Sequence, residues 1–245
     1  SFGEFKMYDI IGDVHGCFLE LNELFYKLGY NYNGDVFLHP LGRMPIFVGD
    51  IIDRGDFSFE VYNLIKNMVE SCNAQLVLGN HDDKVLRWAK GNPVKVLNGL
   101  DKTIQSMEQH NVSKGEVYNF FSSIPYYLLF DNLAIVHASW HSKFLSYNRF
   151  DKRCRSLAIY GPVEQSSRID WVRDRVQEYP IVVYGHQRHF EPYIAKNTYC
   201  IDTGCVFGGY LTALRFPEIE FVQVKAFEKY VEQSEGWGYP RMEGL

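Results

Sequence analysis

The sequence predicts a single α/β domain, and three observations support this expectation. Short apolar runs typical of buried strands alternate with amphipathic helical patterns along the chain. A length of 245 residues and a hydrophobic content of 46% are sufficient for one well-buried domain. The sequence contains no linker, low-complexity segment or repeat of fixed period. We therefore expect residues 1–245 to form one domain.

The two ends of the chain are expected to contribute little to that domain. Residues 1–6 precede Met7, which could be the natural start, so we interpret them as an addition to the natural chain. Residues 232–245 are rich in glycine, and we expect a loosely held tail.

The composition argues against several classes of protein. A net charge of −5 disfavours a broad electrostatic surface for nucleic acid. Five cysteines without a Cys-x-x-Cys pair resemble neither a disulfide framework nor a zinc ribbon. No apolar segment approaches the roughly 20 residues that cross a bilayer. We expect a cytoplasmic protein with reduced cysteines and no membrane segment, and the sequence indicates no oligomeric state.

The first predicted strand, Met7 to Ile11, leads into the first candidate metal ligands. Asp13 and His15 flank Val14, so on an extended backbone both side chains leave the same face and can meet one ion. A carboxylate beside an imidazole suits a first-row divalent ion such as Mn, Fe, Zn, Co or Ni better than Ca.

The next elements lead to a second strand. An amphipathic helix is predicted over Phe18 to Leu28, with Gly29 as the residue that ends it. A short β excursion over Val36 to His39 then turns back into an apolar strand over Pro45 to Val48.

The loop that follows this strand, Gly49–Gly55, is the stretch around which the chain is organised. Its glycines permit a tight turn, and one of its carboxylates lies where a single oxygen could be shared between two metal ions. A helix over Phe57 to Val69 should follow. Taken alone, the loop could be an ordinary helix start capped by Asp56 or Ser58.

A third strand, Gln75 to Leu78, ends in another polar loop. Asn80 can offer its amide oxygen as a neutral ligand, while His81 can act as an acid toward a leaving oxygen. The alternative is a Gly-Asn turn beside a chance histidine, which is less favoured at the third loop of this kind.

The region from Lys84 to Ile124 is predicted to be mainly helical and is assigned no chemistry. Ser113 and Glu116 form a capping-box pattern at the start of its last helix. The core candidates of this region are apolar residues at helical spacing: Trp88, Val94, Leu97, Leu100, Ile104 and Met107.

Two further strands end in histidines. The hairpin of Tyr126–Phe130 and Leu133–Val136 leads to His137, and the strand Ile181–Tyr184 leads to His186. A lone histidine is more often a core or surface residue, but two at strand ends favour a metal set. The other four histidines lack this setting and are interpreted as surface or supporting residues: His39, His110, His141 and His189.

The last strands are predicted over Tyr199–Asp202, Leu211–Phe216 and Ile219–Val224. Asp202 is a candidate acceptor for the ring N–H of a ligand histidine.

The ordered loops resemble the signature of a known family. Gly12–Gly16, Gly49–Gly55, Gly79–Asp82, His137–Ala138 and Gly185–His186 are similar to the motifs of the calcineurin-like metallophosphoesterases. The form Gly-Asp-x-x-Asp-Arg-Gly is typical of the branch with protein serine/threonine phosphatases and diadenosine tetraphosphate hydrolases.

Further stretches narrow the resemblance within that branch. Lys90–Val96, Gly99–Leu100, Ile201–Gly208 and Phe216–Glu218 resemble the bacterial PrpE-type asymmetric bis(5′-nucleosyl)-tetraphosphatases. They also resemble the phosphatase module of bacterial polynucleotide kinase-phosphatases.

The resemblance implies a fold and a cofactor. The fold is two packed mixed β-sheets flanked by helices in a four-layer αββα arrangement, and the cofactor is two divalent ions, manganese first, with Fe, Zn, Ni or Co as alternatives. The implied ligands form two sets that share one carboxylate: Asp13, His15 and Asp50 for one ion, and Asp50, Asn80, His137 and His186 for the other.

The resemblance also implies catalytic roles. His81 would be the general acid, oriented by Asp53, and Arg54 would hold phosphoryl oxygens in a bidentate fork. Arg168 is a candidate for a second clamp, and Asn80 would also contact substrate.

The function implied is hydrolysis of phosphoester or phosphoanhydride bonds, with diadenosine tetraphosphate cleaved to ATP and AMP as the first expectation. A protein serine/threonine or tyrosine phosphatase, a nucleic-acid-end phosphatase and a non-catalytic phosphate-binding scaffold are the alternatives. The partner is thus a small nucleotide or a phosphoprotein. Three departures from the family pattern, Asn98, Ser139 and Pro162, bear on the substrate and leave the metal ligands intact.

Overall fold

The computed structural model describes residues 6–232 and 236–239. The strands in these residues are, in chain order, β1 Tyr8–Ile11, β2 Asn31–Tyr32, β3 Phe37–Leu38, β4 Met44–Phe47, β5 Gln75–Leu76, β6 Tyr127–Phe130, β7 Leu133–Val136, β8 Val163–Glu164, β9 Ser167–Arg168, β10 Ile181–Tyr184, β11 Tyr193–Ala195, β12 Thr198–Cys200, β13 Asp202–Thr203, β14 Tyr210–Phe216 and β15 Glu220–Lys225. The α-helices are α1 Phe18–Leu28, α2 Ser58–Glu70, α3 Asn80–Ala89, α4 Leu100–Gln109, α5 Lys114–Ser122 and α6 Arg155–Tyr160.

Eleven of these strands form two mixed sheets, one with six strands and one with five. The first has the order β13-β14-β1-β4-β5, with β15 also paired to β14, and its strands β1, β4 and β5 run parallel. The second has the order β11-β12-β10-β7-β6, and β7, β10 and β12 run parallel within it. Each sheet therefore brings the carboxyl ends of parallel strands to one edge.

Side-chain alternation places the two sheets face to face. Ile10 and Ile46 of the first sheet share one apolar cluster with Ile135 of the second. The next residues along β1 and β4, Ile11 and Phe47, lie in a different cluster that includes α1 and α2. A third cluster packs α6 against the outer face of the second sheet. The predicted arrangement of helices, two sheets and helices is confirmed.

Several sequence predictions of local structure are also confirmed. Helix α1 spans Phe18–Leu28 and ends at Gly29 with φ of 95°. Phe130 pairs with Leu133 in an antiparallel hairpin, so two residues form the predicted turn. Ser113 caps α5 by accepting a hydrogen bond from the backbone N–H of Glu116 at 3.1 Å.

Other details differ from the predictions. The start of α2 is not capped by Asp56 or Ser58, because Phe57 occupies the N-cap position and Ser58 Oγ accepts from the backbone N–H of Asp53 at 3.1 Å. Leu97 is 56% exposed and is not a core residue. It lies in the irregular segment between α3 and α4. This segment contains Gly91 and Pro93, and proline does not continue a helix.

Part of the predicted tail is described, and that part contacts the rest of the chain. The backbone N–H of Gly238 donates to the carbonyl of Arg188 at 2.7 Å, and Trp237 stacks on Phe190. The remainder of the tail, 233–235 and 240–245, and residues 1–5 lie outside the described residues. None of the helices within the described ranges has the length and apolar character needed to span a bilayer.

Candidate metal centre and active site

The predicted ligands come together where the two sheets meet. The loops after β1, β4 and β5 carry them from the first sheet, and the loops after β7 and β10 carry them from the second. The loops approach so closely that a Cβ on Gly185 would lie 2.1 Å from Asp13 Oδ1, and one on Gly79 would lie 2.2 Å from Asp50 Oδ1. Glycine is therefore required at Gly185, where the two sheets meet, and at Gly79, where two loops of the first sheet meet.

The first group of donors surrounds His15. Its Nε2 lies 3.6 Å from Asp50 Oδ2 and 4.0 Å from Asp13 Oδ2. Its Nδ1–H donates to the carbonyl of Ile52 at 2.8 Å, so the Nε2 lone pair faces the two carboxylates. Burial lowers the pKa of His15 to about 3, which keeps the ring neutral and able to ligate.

The second group shares Asp50 with the first. His137 Nε2 lies 3.3 Å from Asp50 Oδ2 and 3.0 Å from Asn80 Oδ1. His186 Nδ1 lies 3.1 Å from the same Asn80 oxygen. The backbone carbonyl of Val48 accepts from His137 Nδ1 at 2.8 Å and thereby fixes the tautomer of that ring.

This donor set fits divalent cations. Asp13 Oδ2 is buried and has no hydrogen-bond partner among the described residues. Burial and the nearby carboxylates of Asp202 and Asp50 raise the pKa of Asp13 well above its usual value, because negative charge accumulates in a dry site. A cation between these oxygens and the imidazole nitrogens would compensate that charge. The potential donor atoms of Asp50, His137 and His186 lie within 4.8 Å of one another, and so do those of His15, Asp50 and His81.

Asp202 does not have the position expected of an acceptor for a ligand histidine. The carbonyls of Ile52 and Val48 accept from the Nδ1–H groups of His15 and His137 instead, each at 2.8 Å. The buried Asp202 carboxyl lies beside Asp13 and accepts from the backbone N–H of Gly204 at 3.1 Å.

His81 lies beside both donor groups and is held by a separate carboxylate. Its Nδ1 lies 2.7 Å from Asp53 Oδ2, which leaves Nε2 available to a ligand. Asp53 Oδ1 accepts from the hydroxyl of Thr103 at 2.5 Å, and the same hydroxyl accepts from the backbone N–H of Asp53 at 3.0 Å. The Thr103 hydroxyl on α4 thus bonds to both the backbone N–H and the carboxylate of Asp53, the residue that orients His81.

Sequence reasoning missed Thr103 and underestimated Asp82. Asp82 is fully buried, and its two oxygens accept from the backbone N–H groups of Asp50, Ile51 and Gly79 at 2.8 to 3.1 Å. Asp82 therefore connects the loop after β4 to the loop after β5. Its signal was its place three residues after Gly79, where a side chain can accept from the start of a helix, whereas no local signal marks Thr103.

A pocket of about 310 Å³ adjoins Asn80 and His81. Its basic lining residues come from four separate segments: Arg54, Lys102, Arg168 and Arg188. The pocket also includes Phe207 and Asn98, one of the three departures from the family pattern. Arg168 Nη1 donates to Gln187 Oε1 at 3.1 Å, which directs this arginine toward the loop of His186.

Comparison with known proteins gives one consistent result. The calcineurin-like phosphoesterase family matches residues 8–222. A protein of Anoxybacillus flavithermus, named bis(5′-nucleosyl)-tetraphosphatase PrpE (asymmetrical), is 38% identical over 93% of this chain and 97% of its own length. A protein of the same name from Halalkalibacterium halodurans is 39% identical over 92% and 96%. The solved structure of a candidate diadenosine tetraphosphatase has a TM-score of 0.67 at 20% identity and covers 92% of this chain and 96% of that one. The chain belongs to the calcineurin-like phosphoesterase family of metal-dependent hydrolases.

Proposed function

We propose that this protein hydrolyses dinucleoside tetraphosphates asymmetrically, so that diadenosine tetraphosphate yields ATP and AMP. The observation that carries the proposal is the convergence of both donor groups on Asp50 beside a pocket with four basic side chains. The names of the two relatives, which align over nearly the whole chain, support this substrate class.

The two ions would be held by the residues that the sequence indicated. Asp13, His15 and Asp50 would hold one, and Asp50, Asn80, His137 and His186 would hold the other. In such sites two divalent ions neutralise phosphate oxygens and activate water. We propose manganese, since this mixture of oxygen and imidazole donors accepts it together with other first-row ions. A cytoplasmic location stays a prediction from composition.

The remaining site residues would bind the phosphate and move a proton. The guanidinium groups of Arg54 and Arg168 would hold the oxygens of the phosphate under attack. His81 would give the proton at Nε2 to the departing oxygen. The Asp53 carboxylate would accept from Nδ1–H at 2.7 Å and so hold the ring with Nε2 directed toward the departing oxygen.

Chromatographic product analysis tests the proposed function. The Mn-loaded protein is incubated in parallel with diadenosine tetraphosphate, a phosphopeptide and a 5′-phosphorylated oligonucleotide. ATP plus AMP from the dinucleotide, with little phosphate from the other two, is the expected result. Two molecules of ADP would contradict asymmetric cleavage. Rapid release of phosphate from the peptide, with the dinucleotide intact, would identify a protein phosphatase.

Loss of the Thr103 hydroxyl should disturb the orientation of His81. In Thr103→Val the Asp53 carboxylate loses a hydrogen bond of 2.5 Å, and we expect kcat to fall about 10- to 100-fold with little change in KM. Steady-state hydrolysis of p-nitrophenyl phosphate measures both constants.

Two further variants separate this positioning role from a loss of stability. Thr103→Ser keeps the hydroxyl and should restore most of kcat. Thr198→Val removes another buried hydroxyl, which donates to the carbonyl of Ala195, and should leave kcat unchanged. Equal losses in Thr103→Val and Thr198→Val would exclude the proposed role.

Gly99 should be required for the position of Arg54. A Cβ at Gly99 would lie 2.0 Å from the backbone nitrogen of Arg54, and Gly99 also has φ of 90°. We expect Gly99→Ala to displace Arg54 and to lower kcat/KM about 100-fold, because a shift of about 1 Å in a positioning group has that effect.

Gly91→Ala is a matched control for this substitution. Gly91 has φ of 89° but no atom within 4 Å of an added Cβ, so both variants share the backbone strain and only one has the clash. Comparable losses of activity in the two variants would show that strain alone is responsible.

A further inference from the structure

We propose that Arg188 binds phosphates of the substrate beyond the one under attack and so selects polyphosphate chains over simple phosphomonoesters. This inference rests on the proposed function, since it assigns a specificity-determining residue to the same pocket. The sequence motifs give no role to Arg188 or to Phe207.

The position of Arg188 is fixed relative to the metal ligands. It lies two residues after His186, and its backbone carbonyl accepts from the N–H of Gly238 at 2.7 Å. The side chain is 94% buried, as its relative exposure is 6%, and it lines the pocket beside Asn80 and His81. Arg188 therefore forms part of the wall that a ligand in this pocket would meet.

Phe207 links Arg188 to the proposed phosphate clamp. The guanidinium carbon of Arg188 lies 4.2 Å from the centre of the Phe207 ring, and that of Arg54 lies 5.0 Å from the same centre. Cation–π contacts of this length restrict both guanidinium groups. The pocket thus presents Arg54 for the phosphate under attack and Arg188 at a defined distance along the same wall.

The charge of the pocket matches a phosphate chain better than a single phosphate. Among the described residues, four basic side chains line the pocket against two acidic ones, Asp101 and Glu232. Arg54 and Arg168 are sufficient for the oxygens of one phosphoryl group, so Arg188 adds a planar donor fork that a monoester would not use. A chain with a negative charge on each phosphate would use it.

Inhibition by inorganic phosphates tests the inference without a dinucleotide. Hydrolysis of p-nitrophenyl phosphate is measured with orthophosphate or tripolyphosphate as the inhibitor, with free Mn²⁺ kept constant and in excess so that chelation does not remove the ions. We expect Arg188→Ala to weaken inhibition by tripolyphosphate about tenfold or more, as loss of a charged hydrogen bond does. Inhibition by orthophosphate should change by a much smaller factor.

Three controls make the result specific. Arg188→Lys keeps the charge without the planar fork and should weaken inhibition by tripolyphosphate to an intermediate degree. Arg188→Gln keeps more of the side-chain volume than alanine, so a loss similar to that of Arg188→Ala would show that packing is not the cause. Arg173→Ala removes an exposed arginine that pairs with Asp174 and should leave both inhibition constants unchanged. Equal weakening of both inhibitors in the Arg188 variants, or no weakening, would overturn the inference.

The outcome separates this inference from the proposed function. If wild-type protein leaves diadenosine tetraphosphate intact, the proposed function fails, yet Arg188-dependent selectivity for tripolyphosphate would still support a polyphosphate site. If the dinucleotide is cleaved and the Arg188 variants retain the wild-type KM for it, the inference fails and the proposed function stands.

Discussion

Replacement of His81 by alanine should lower kcat by about 100- to 10,000-fold while both ions stay bound, since this is the usual contribution of a general acid. His81 is not among the implied metal ligands, and its Nδ1 is held by Asp53 at 2.7 Å. The substitution therefore removes the proton donor and leaves the ligand sets intact. Metal analysis of the purified variant and steady-state kinetics measure the two effects separately.

The leaving group provides a more specific readout for His81. Phenolate is more basic than p-nitrophenolate and needs more protonation as it departs, so the loss in His81→Ala should be larger for phenyl phosphate. A residue with a purely structural role would affect both substrates equally. His141→Ala replaces an exposed histidine outside the site and is the matched control. Undiminished turnover in His81→Ala would contradict the mechanism.

Asp50→Asn should abolish both ion binding and activity, an effect at least as large as that of His81→Ala. One oxygen of Asp50 lies 3.6 Å from His15 Nε2 and 3.3 Å from His137 Nε2, so a single carboxylate serves both donor groups. Asparagine has the same shape but no charge, and two adjacent cations would lose the anion between them.

The folded structure should survive this change. Asp50 has φ of 54°, a conformation that asparagine adopts readily, and the amide oxygen can still accept from the backbone N–H of His81. Asp9→Asn is the matched control, because Asp9 is a buried carboxylate that pairs with Arg43 and Arg215 rather than with a candidate metal ligand. That variant should unfold at a lower temperature but retain its metals. Full metal content in Asp50→Asn would exclude Asp50 as the shared ligand.

The parts of the site that the sequence predicted are those with a local signal. A short apolar strand followed by glycine and a polar residue is visible within a few positions, so the loops of Asp13, Asp50 and Asn80 could be found individually. Their convergence follows from the parallel order of β1, β4 and β5. The candidate ligands from the second sheet, His137 and His186, have a weaker signal, since each is a single histidine at the end of a strand and only their recurrence favours a metal set.

The parts that were missed depend on packing between distant segments. Thr103 contacts Asp53 because α4 lies against the loop Gly49–Gly55. Arg188 contacts Phe207 because the loops after β10 and β13 are adjacent. No periodicity or motif encodes those contacts. Asp202 is expected to accept from a ligand histidine because carboxylates often have that role, but backbone carbonyls accept from His15 and His137 in the structure.

The strand order has a consequence for how the protein matures. Strand β1 lies between β4 and β14, and the backbone N–H of Gly12 donates to the carbonyl of Thr212 at 3.0 Å. One side of β1 therefore stays unpaired during synthesis until residues 210–216 have left the ribosome. The loop that carries Asp13 gains its bond to β14 only at that stage, so we expect the candidate metal site to be completed near the end of translation.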